Sequence, residues 1–200
     1  IELLTQYKDG KLDGLGTKWY SNGQKVAEGN LKDGKLMTAV GWKPNGEKSE
    51  INVVKGNGVV VDYNEDGTGK SRYIFKDGRQ DGLITVWYEN GKKKSEVTYK
   101  DGAKDGLLTK WYGNGQKMAE LNYKDGKEDG LTTLWYENGK KKAEGTYKGD
   151  KLMTAVAWKP NGEKCHHTNV VNGNGILVGY GEDLTEDWRV TYKDGEKVYP

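Results

Sequence analysis

The sequence predicts an all-β protein: an elongated, single-layer antiparallel meander of about eight stacked β-hairpins, twisted and trough-shaped. Three observations predict this class. Tight turns recur at spacings of 21 to 24 residues, an aromatic residue stands four positions before each turn, and the 200 residues include 30 glycines but only 3 prolines. One such repeat cannot bury a core alone and must stack on its neighbours. No linker interrupts the repeats, so residues 1–200 are predicted to form one domain.

The clearest repeat runs from Gly106 to Asp125 and reads GLLTKWYGNGQKMAELNYKD. The equivalent turn positions along the chain are Gly23, Gly46, Gly67, Gly91, Gly115, Gly139, Gly162 and Leu184. The aromatic row that precedes them consists of Trp19, Trp42, Tyr63, Trp87, Trp111, Trp135, Trp158 and Tyr180. An aromatic residue at one offset from eight turns predicts eight equivalent hairpins.

The turn type decides which residues pair. Asn-Gly by itself favours a two-residue type I′ turn, which would put Thr109 opposite Glu120 and mix polar with apolar residues on one face. A three-residue loop with Gly115 in the left-handed conformation instead pairs Thr109 with Ala119 and Trp111 with Lys117. We predict the second register, because it keeps the apolar set together.

That register predicts the composition of both faces. The apolar face would carry Leu107, Thr109, Trp111, Ala119, Leu121 and Tyr123, and in the other repeats the corresponding residues, such as Leu83 and Leu131. The opposite, polar face would carry lysines, glutamates and a second row of exposed tyrosines. This tyrosine ladder consists of Tyr20, Tyr88, Tyr112 and Tyr136.

The connections between hairpins read Asp-Gly-x-x-Asp-Gly, as from Asp77 to Gly82. Glycine supplies positive φ there, and aspartate is expected to cap its own turn. Such short connections make consecutive strands neighbours, which predicts about sixteen strands. A longer duplication is also present: LMTAVGWKPNGEK at 36–48 recurs as LMTAVAWKPNGEK at 152–164.

These residues resemble the bacterial MORN-variant repeat, with the approximate pattern G-x-x-x-x-W-Y-x-N-G-x-x-x-x-E-x-x-Y-x-D-G-K. The resemblance is closest from Asp81 to Tyr147 and weakest around Pro44, Pro160 and the Gly-Asn-Gly segments. It implies stacked β-hairpins. Proteins with this repeat include scaffolds, lipid-contacting proteins and YwqK-type antitoxins, so the resemblance supports the fold more than any one activity.

Composition limits the partners. Thirty-two basic and 30 acidic side chains are mixed along the chain, which disfavours nucleic acid and membrane contact. No segment is long and apolar enough for a transmembrane helix. A chain that begins at Ile1 without methionine slightly favours export to the cell envelope over the cytoplasm, but the compartment and the oligomeric state stay open.

No pattern predicts catalysis or a cofactor. Cys165, His166 and His167 are the only cluster with metal-ligand chemistry, but adjacent strand residues point to opposite faces. The turn offset places His166 on the aromatic face and the other two opposite. The paired aspartates of the connections lack the further oxygen ligands of a calcium loop. We therefore predict no metal, no catalytic residue and no enzyme.

The remaining candidates are the aromatic rows. The tryptophans are predicted to fill the trough as core, with an open groove for a peptide or glycan as the alternative. The tyrosine ladder suits protein contact, since tyrosine buries area at low entropic cost. The sequence predicts a non-catalytic scaffold for a protein partner, antitoxin-like in one form. A carbohydrate or cell-envelope binding module is the alternative.

Overall fold

A computed structural model describes the backbone of residues 2–199 and the side chains of residues 5–199. The protein is all-β, and no helix occurs in the described range. Consecutive antiparallel hairpins follow one another along the chain, as the spacing of the turns predicts. Contacts divide the chain into two compact units, unit 1 (Ile1–Ala103) and unit 2 (Lys104–Pro200).

Unit 1 contains the first twelve strands. They are β1 (Glu2–Leu4), β2 (Tyr7–Lys8), β3 (Lys11–Leu12), β4 (Gly14–Trp19), β5 (Lys25–Lys32), β6 (Lys35–Trp42), β7 (Lys48–Val54), β8 (Asn57–Tyr63), β9 (Gly69–Lys76), β10 (Arg79–Gln80), β11 (Gly82–Trp87) and β12 (Lys93–Lys100). Each strand from β4 to β9 pairs with the next, β9 pairs with both β10 and β11, and β11 pairs with β12. Strand β1 pairs with β4, while β2 and β3 form a separate small hairpin.

Unit 2 contains the remaining nine strands, the first of which begins one residue before the division. They are β13 (Ala103–Trp111), β14 (Lys117–Lys124), β15 (Lys127–Trp135), β16 (Lys141–Lys148), β17 (Lys151–Ala157), β18 (Asn169–Val171), β19 (Asn174–Tyr180), β20 (Glu186–Lys193) and β21 (Glu196–Val198). Each pairs antiparallel with the next. The described residues therefore form 21 strands rather than about sixteen, because short strands precede the first hairpin (β1 to β3), follow the last (β21) and occupy one connection (β10).

The hairpin loops have the predicted three-residue geometry. The Gly115 amide donates to the Tyr112 carbonyl at 2.9 Å, and Gly115 has φ +95°. The other predicted turn glycines also have positive φ. Leu184 adopts φ +67° in the eighth turn although it has a side chain, so the offset alone located a left-handed position there.

The connections between hairpins differ from the prediction in one respect. Both residues of an Asp-Gly connection have positive φ, as at Asp101 (+51°) and Gly102 (+88°), which is the type I′ geometry. The second aspartate of the motif does not cap its own turn. Asp81 Oδ2 instead accepts the amide of Asp101, twenty residues later, at 3.1 Å. Each such carboxylate therefore ties one hairpin to the next.

The predicted register is wrong beyond the residue next to the loop. Trp111 does pair with Lys117, but a bulge then shifts the ladder, so that Lys110 pairs with Ala119 and Thr109 with Glu120. Met118 is the extra residue of this bulge. The same one-residue bulge next to the aromatic residue recurs in five other hairpins, and in the hairpin of Trp42 the shift is two residues.

This shift separates the tryptophans from the small apolar residues. One face, here called the inner face, carries Leu108, which pairs with Leu121, and Ala119, which pairs with Lys110. Leu108 and Ala119 are buried. The opposite face, the tryptophan face, carries Leu107 and Thr109 and, by strand alternation, Trp111. The tryptophan row therefore does not line the inner face, contrary to the prediction.

Each unit has its core on the inner face. In unit 1, Ala39, Ile51 and Val53 pack with Leu36 and Val60. In unit 2, the inner-face cluster contains Leu152, Ala155, Val170 and Tyr192. A second cluster, which is not confined to that face, contains Ala157, Cys165, Val178 and the aromatic-row residue Tyr180. Side chains from hairpins two repeats apart also meet, since Lys18 Nζ lies 3.2 Å from Asp62 Oδ1.

Candidate functional site

The tryptophan face carries a repeated set of side chains. In unit 2, Thr109 pairs with Glu120, and Glu120 pairs with Thr133 on the next hairpin. The two threonines are buried, while Trp111 and Trp135 beside them are half-buried. The threonines are therefore shielded from solvent, while the rings keep part of their surface exposed.

A lysine lies over the rings of this face. Lys117 Nζ is 5.8 Å from the centroid of Trp135, and Lys141 Nζ is 5.6 Å from the centroid of Trp158. In unit 1, Lys25 has the same position above Trp42, at 5.9 Å. Because a protein cation already occupies each ring, these rings are poorly suited to a cationic ligand.

The recurring glutamates are partners of the same lysines. Lys141 Nζ contacts Glu144 Oε2 at 2.5 Å, and Lys117 pairs with Glu120 in the same way. Each glutamate stands three residues after its lysine, and none is paired with a second carboxylate. The row thus neutralises the tryptophan face and does not form an acid–base pair for hydrolysis.

Exposed leucines recur on the tryptophan face at one position of the regular repeats. Their exposed fractions lie between 43% and 50%, and they are Leu15, Leu83, Leu107 and Leu131. The prediction that these leucines face the core is wrong, because the bulge turns the following residue inward instead. The sequence analysis therefore did not identify these leucines as surface residues. The pattern that could have identified them is a leucine directly before the buried position of each regular repeat.

A groove of about 450 Å³ opens beside Leu131. Its lining includes Leu131, Val156 and Val171 as apolar residues and Glu144 and Thr154 as polar ones. Strand β17 pairs with the short strand β18 through Ala155 and Val170. The groove thus extends the exposed leucine surface of unit 2.

The tyrosine ladder is not uniformly exposed, contrary to the prediction. Tyr20 and Tyr136 are each only 3% exposed. The Tyr136 hydroxyl donates to the Trp158 carbonyl at 2.9 Å, and the Tyr20 hydroxyl donates to the Trp42 carbonyl at 3.1 Å. Burial raises the pKa of both tyrosines to about 12. These two side chains fasten one hairpin to the next.

The other two members of the ladder keep partial exposure. Tyr88 and Tyr112 are half-buried, and the Tyr112 hydroxyl donates to the Trp135 carbonyl at 2.7 Å. The hydrogen bond of Tyr112 repeats that of Tyr136, so the doublet tyrosine has a structural role here too. A part in partner binding stays a prediction for all four tyrosines.

The cysteine–histidine cluster does not have the predicted orientation, in which His166 lies on one face and Cys165 and His167 on the other. Cys165 is buried against Ala157, Val178 and Tyr180, while His166 and His167 are exposed. Although burial opposes ionisation of the thiol, hydrogen bonds with Tyr180 and Thr168 lower the pKa of Cys165. The additional residue in this segment shifts the register, which is why His166 does not occupy the position of Ala119.

Neither a metal site nor a membrane span is evident. Among the side chains of residues 5–199, no three from histidine, cysteine, aspartate or glutamate come together as metal ligands. Over the same range no helix is long and apolar enough to cross a membrane. Predictions about cofactors rest on the sequence argument alone.

Comparison with known proteins identifies the repeat. A family model described as the MORN repeat variant matches residues 12–33, 80–101, 104–125 and 128–148. A search of curated proteins finds no match to the chain. The four matched segments are regular repeats that carry the exposed leucine, and together they cover less than half of the 200 residues. Such repeats generally mediate binding or scaffolding and are generally not enzymatic.

Proposed function

We propose that the protein is a non-catalytic scaffold that binds a protein partner through its tryptophan face. The observation that supports this most is the exposed leucine at one position of successive repeats, beside the half-buried tryptophans. A single exposed leucine needs no explanation. Each of these leucines leaves 43–50% of its surface exposed, so their recurrence on one face favours a contact surface.

In unit 2 the contact surface consists of Leu107, Leu131 and the adjoining groove. Leu107 and Leu131 stand two strands apart on one face, a separation of about 10 Å. A hydrophobic side chain of the partner fits the groove, where Val156 and Val171 supply apolar walls. The lysine–glutamate pairs keep the surface nearly neutral, which favours an apolar protein surface over a strongly charged ligand.

An antitoxin-like neutraliser is one form of this function, and a toxin would then be the partner. The carbohydrate alternative receives less support. Sugars stack on open aromatic faces, whereas Lys117 and Lys141 lie over the rings of Trp135 and Trp158. Of the tyrosine ladder, we expect only Tyr88 and Tyr112 to contact the partner, at the edge of the interface, because these two members keep partial exposure.

The test compares wild type with Leu107→Ser/Leu131→Ser. The control is Val198→Ser, which changes a residue of similar exposure (46%) on the last strand, outside the matched repeats. Affinity capture identifies candidate partners, and each is then purified and titrated against the three proteins. A protein whose Kd rises at least tenfold with the leucine variant, and less than twofold with the control, supports the proposal. Capture of glycan alone, or equal Kd values for all three proteins, contradicts it.

A further inference from the structure

The inner faces of the two units carry the same residue types at several equivalent positions. When the duplicated segments are aligned, Leu36 corresponds to Leu152, and the same offset aligns the neighbouring residues. Ala27, Gly29 and Ala39 of unit 1 thus correspond to Ala143, Gly145 and Ala155 of unit 2, and the three residue types are the same. In both units these residues pair across adjacent strands and form the same small-residue floor.

In unit 2 an aromatic side chain covers this floor. The ring of Tyr147 packs against the cluster that contains Leu152, Ala155 and Tyr192. Burial raises the pKa of Tyr147 to about 12. Unit 2 therefore shows which kind of group fits over the floor: one phenol ring.

Unit 1 has Leu31 where unit 2 has Tyr147. A cavity of about 300 Å³ lies over the floor there, and its apolar lining includes Leu12, Leu31, Leu36 and Val60. An apolar cavity of about 150 Å³ is enough to admit benzene. The space over the floor of unit 1 is therefore ample for one aromatic ring.

The same cavity has a polar end. Lys18 Nζ lies 3.2 Å from Asp62 Oδ1, and the Ser71 hydroxyl donates to Asp62 Oδ2 at 3.2 Å. Lys18 and Asp62 both line the cavity. An ammonium group has three donors and a carboxylate accepts several hydrogen bonds, so the pair can both donate to and accept from a ligand hydroxyl.

Unit 2 does not repeat this polar set. The positions of Lys18, Asp62 and Ser71 are held there by Leu134, Gly179 and Trp188. The Trp188 ring lies so close to Gly179 that a Cβ on the glycine would be 2.2 Å from it. The Lys18–Asp62 pair, with Ser71 bonded to Asp62, thus lies at the apolar cavity of the unit in which leucine replaces the covering tyrosine.

We propose that the cavity of unit 1 binds a small molecule with a phenol ring. The ring lies over the floor between Leu31 and the Lys18–Asp62 pair, and its hydroxyl hydrogen-bonds to Lys18 and Asp62. A largely apolar pocket with a few convergent polar groups is the usual form of a small-ligand site. This site lies on the inner face and does not depend on partner binding to the tryptophan face.

The probe is p-cresol, which is the tyrosine side chain as a free molecule. Titration into methyl-labelled protein is followed by NMR, with toluene as the matched ring without a hydroxyl. We expect saturable shifts at Leu12, Leu31, Leu36 and Val60, and binding of toluene at least fivefold weaker. Shifts that do not saturate, shifts spread over the protein, or equal binding of toluene would overturn the proposal.

Variants taken from unit 2 supply the controls. Leu31→Tyr should fill the cavity and weaken p-cresol binding at least tenfold. Val60→Leu places the equivalent residue of unit 2 on the cavity wall and should weaken p-cresol binding by less. The reverse change, Tyr147→Leu, should create a second site in unit 2 that does not prefer p-cresol over toluene. Unchanged binding in folded Leu31→Tyr and Val60→Leu, or no new site in Tyr147→Leu, would refute the assignment.

Discussion

The neighbouring residues Leu107 and Leu108 offer the sharpest test of the register. They are the same residue type on one strand, yet 45% of Leu107 is exposed and only 5% of Leu108. Complete burial of a leucine side chain contributes about 1.5–3 kcal/mol. Scaled by the buried fractions, Leu108 contributes about 1.4–2.9 kcal/mol and Leu107 about 0.8–1.7 kcal/mol.

A cavity adds to the cost only at the buried site. We therefore expect Leu108→Ala to lower the free energy of unfolding by about 2–4 kcal/mol and Leu107→Ala by about 1 kcal/mol. Urea denaturation measures both, and an unchanged m value ensures that the midpoint reports stability. If Leu107→Ala costs as much as Leu108→Ala or more, the bulge is absent in solution and the register without it is correct.

Three further predictions follow from the turns and the buried tyrosines. Tyr136→Phe removes the hydrogen bond to the Trp158 carbonyl and should cost about 1–3 kcal/mol, measured as a lower Tm, whereas the exposed control Tyr7→Phe should leave Tm unchanged; equal effects would contradict the fastening role. The pKa of Tyr136 and of Tyr147 is raised from 10.0 to about 12, so their contribution to stability is complete below pH 10 and is lost between pH 10 and 12. Urea midpoints measured across that range test this, and a midpoint that stays constant to pH 12 would refute it. Leu184→Gly relieves a left-handed backbone and should raise the free energy of unfolding by about 1 kcal/mol, measured by urea denaturation; a loss of stability would show that Leu184 is not strained.

The hairpin loops could be predicted because their chemistry is local. A left-handed residue at a fixed offset from an aromatic residue identifies each loop, and this holds even for Leu184, where the residue type gives no hint. The bulge at Met118 could not be predicted in the same way. It changes no residue type, and both registers satisfy the loop, so only the packing of Leu108 against its neighbours decides between them.

The same bulge explains most errors about the candidate site. One inserted residue exchanges the faces of everything beyond it, which exposes Leu107 and separates Trp111 from Ala119. The burial of Tyr136 has another cause, since its hydroxyl reaches a carbonyl 22 residues away. Such a contact depends on how consecutive hairpins stack, which no pattern within a single repeat reports.

The most direct test of the proposed function is a binding titration with one purified partner protein. It compares Leu107→Ser/Leu131→Ser, which alters the tryptophan face, with Leu31→Tyr, which fills the cavity of the inner face. We predict that the first variant raises Kd at least tenfold, a loss of about 1.4 kcal/mol, and that the second leaves Kd unchanged. A Kd that rises with Leu31→Tyr and stays constant with the leucine pair would place the partner on the inner face and contradict the proposal.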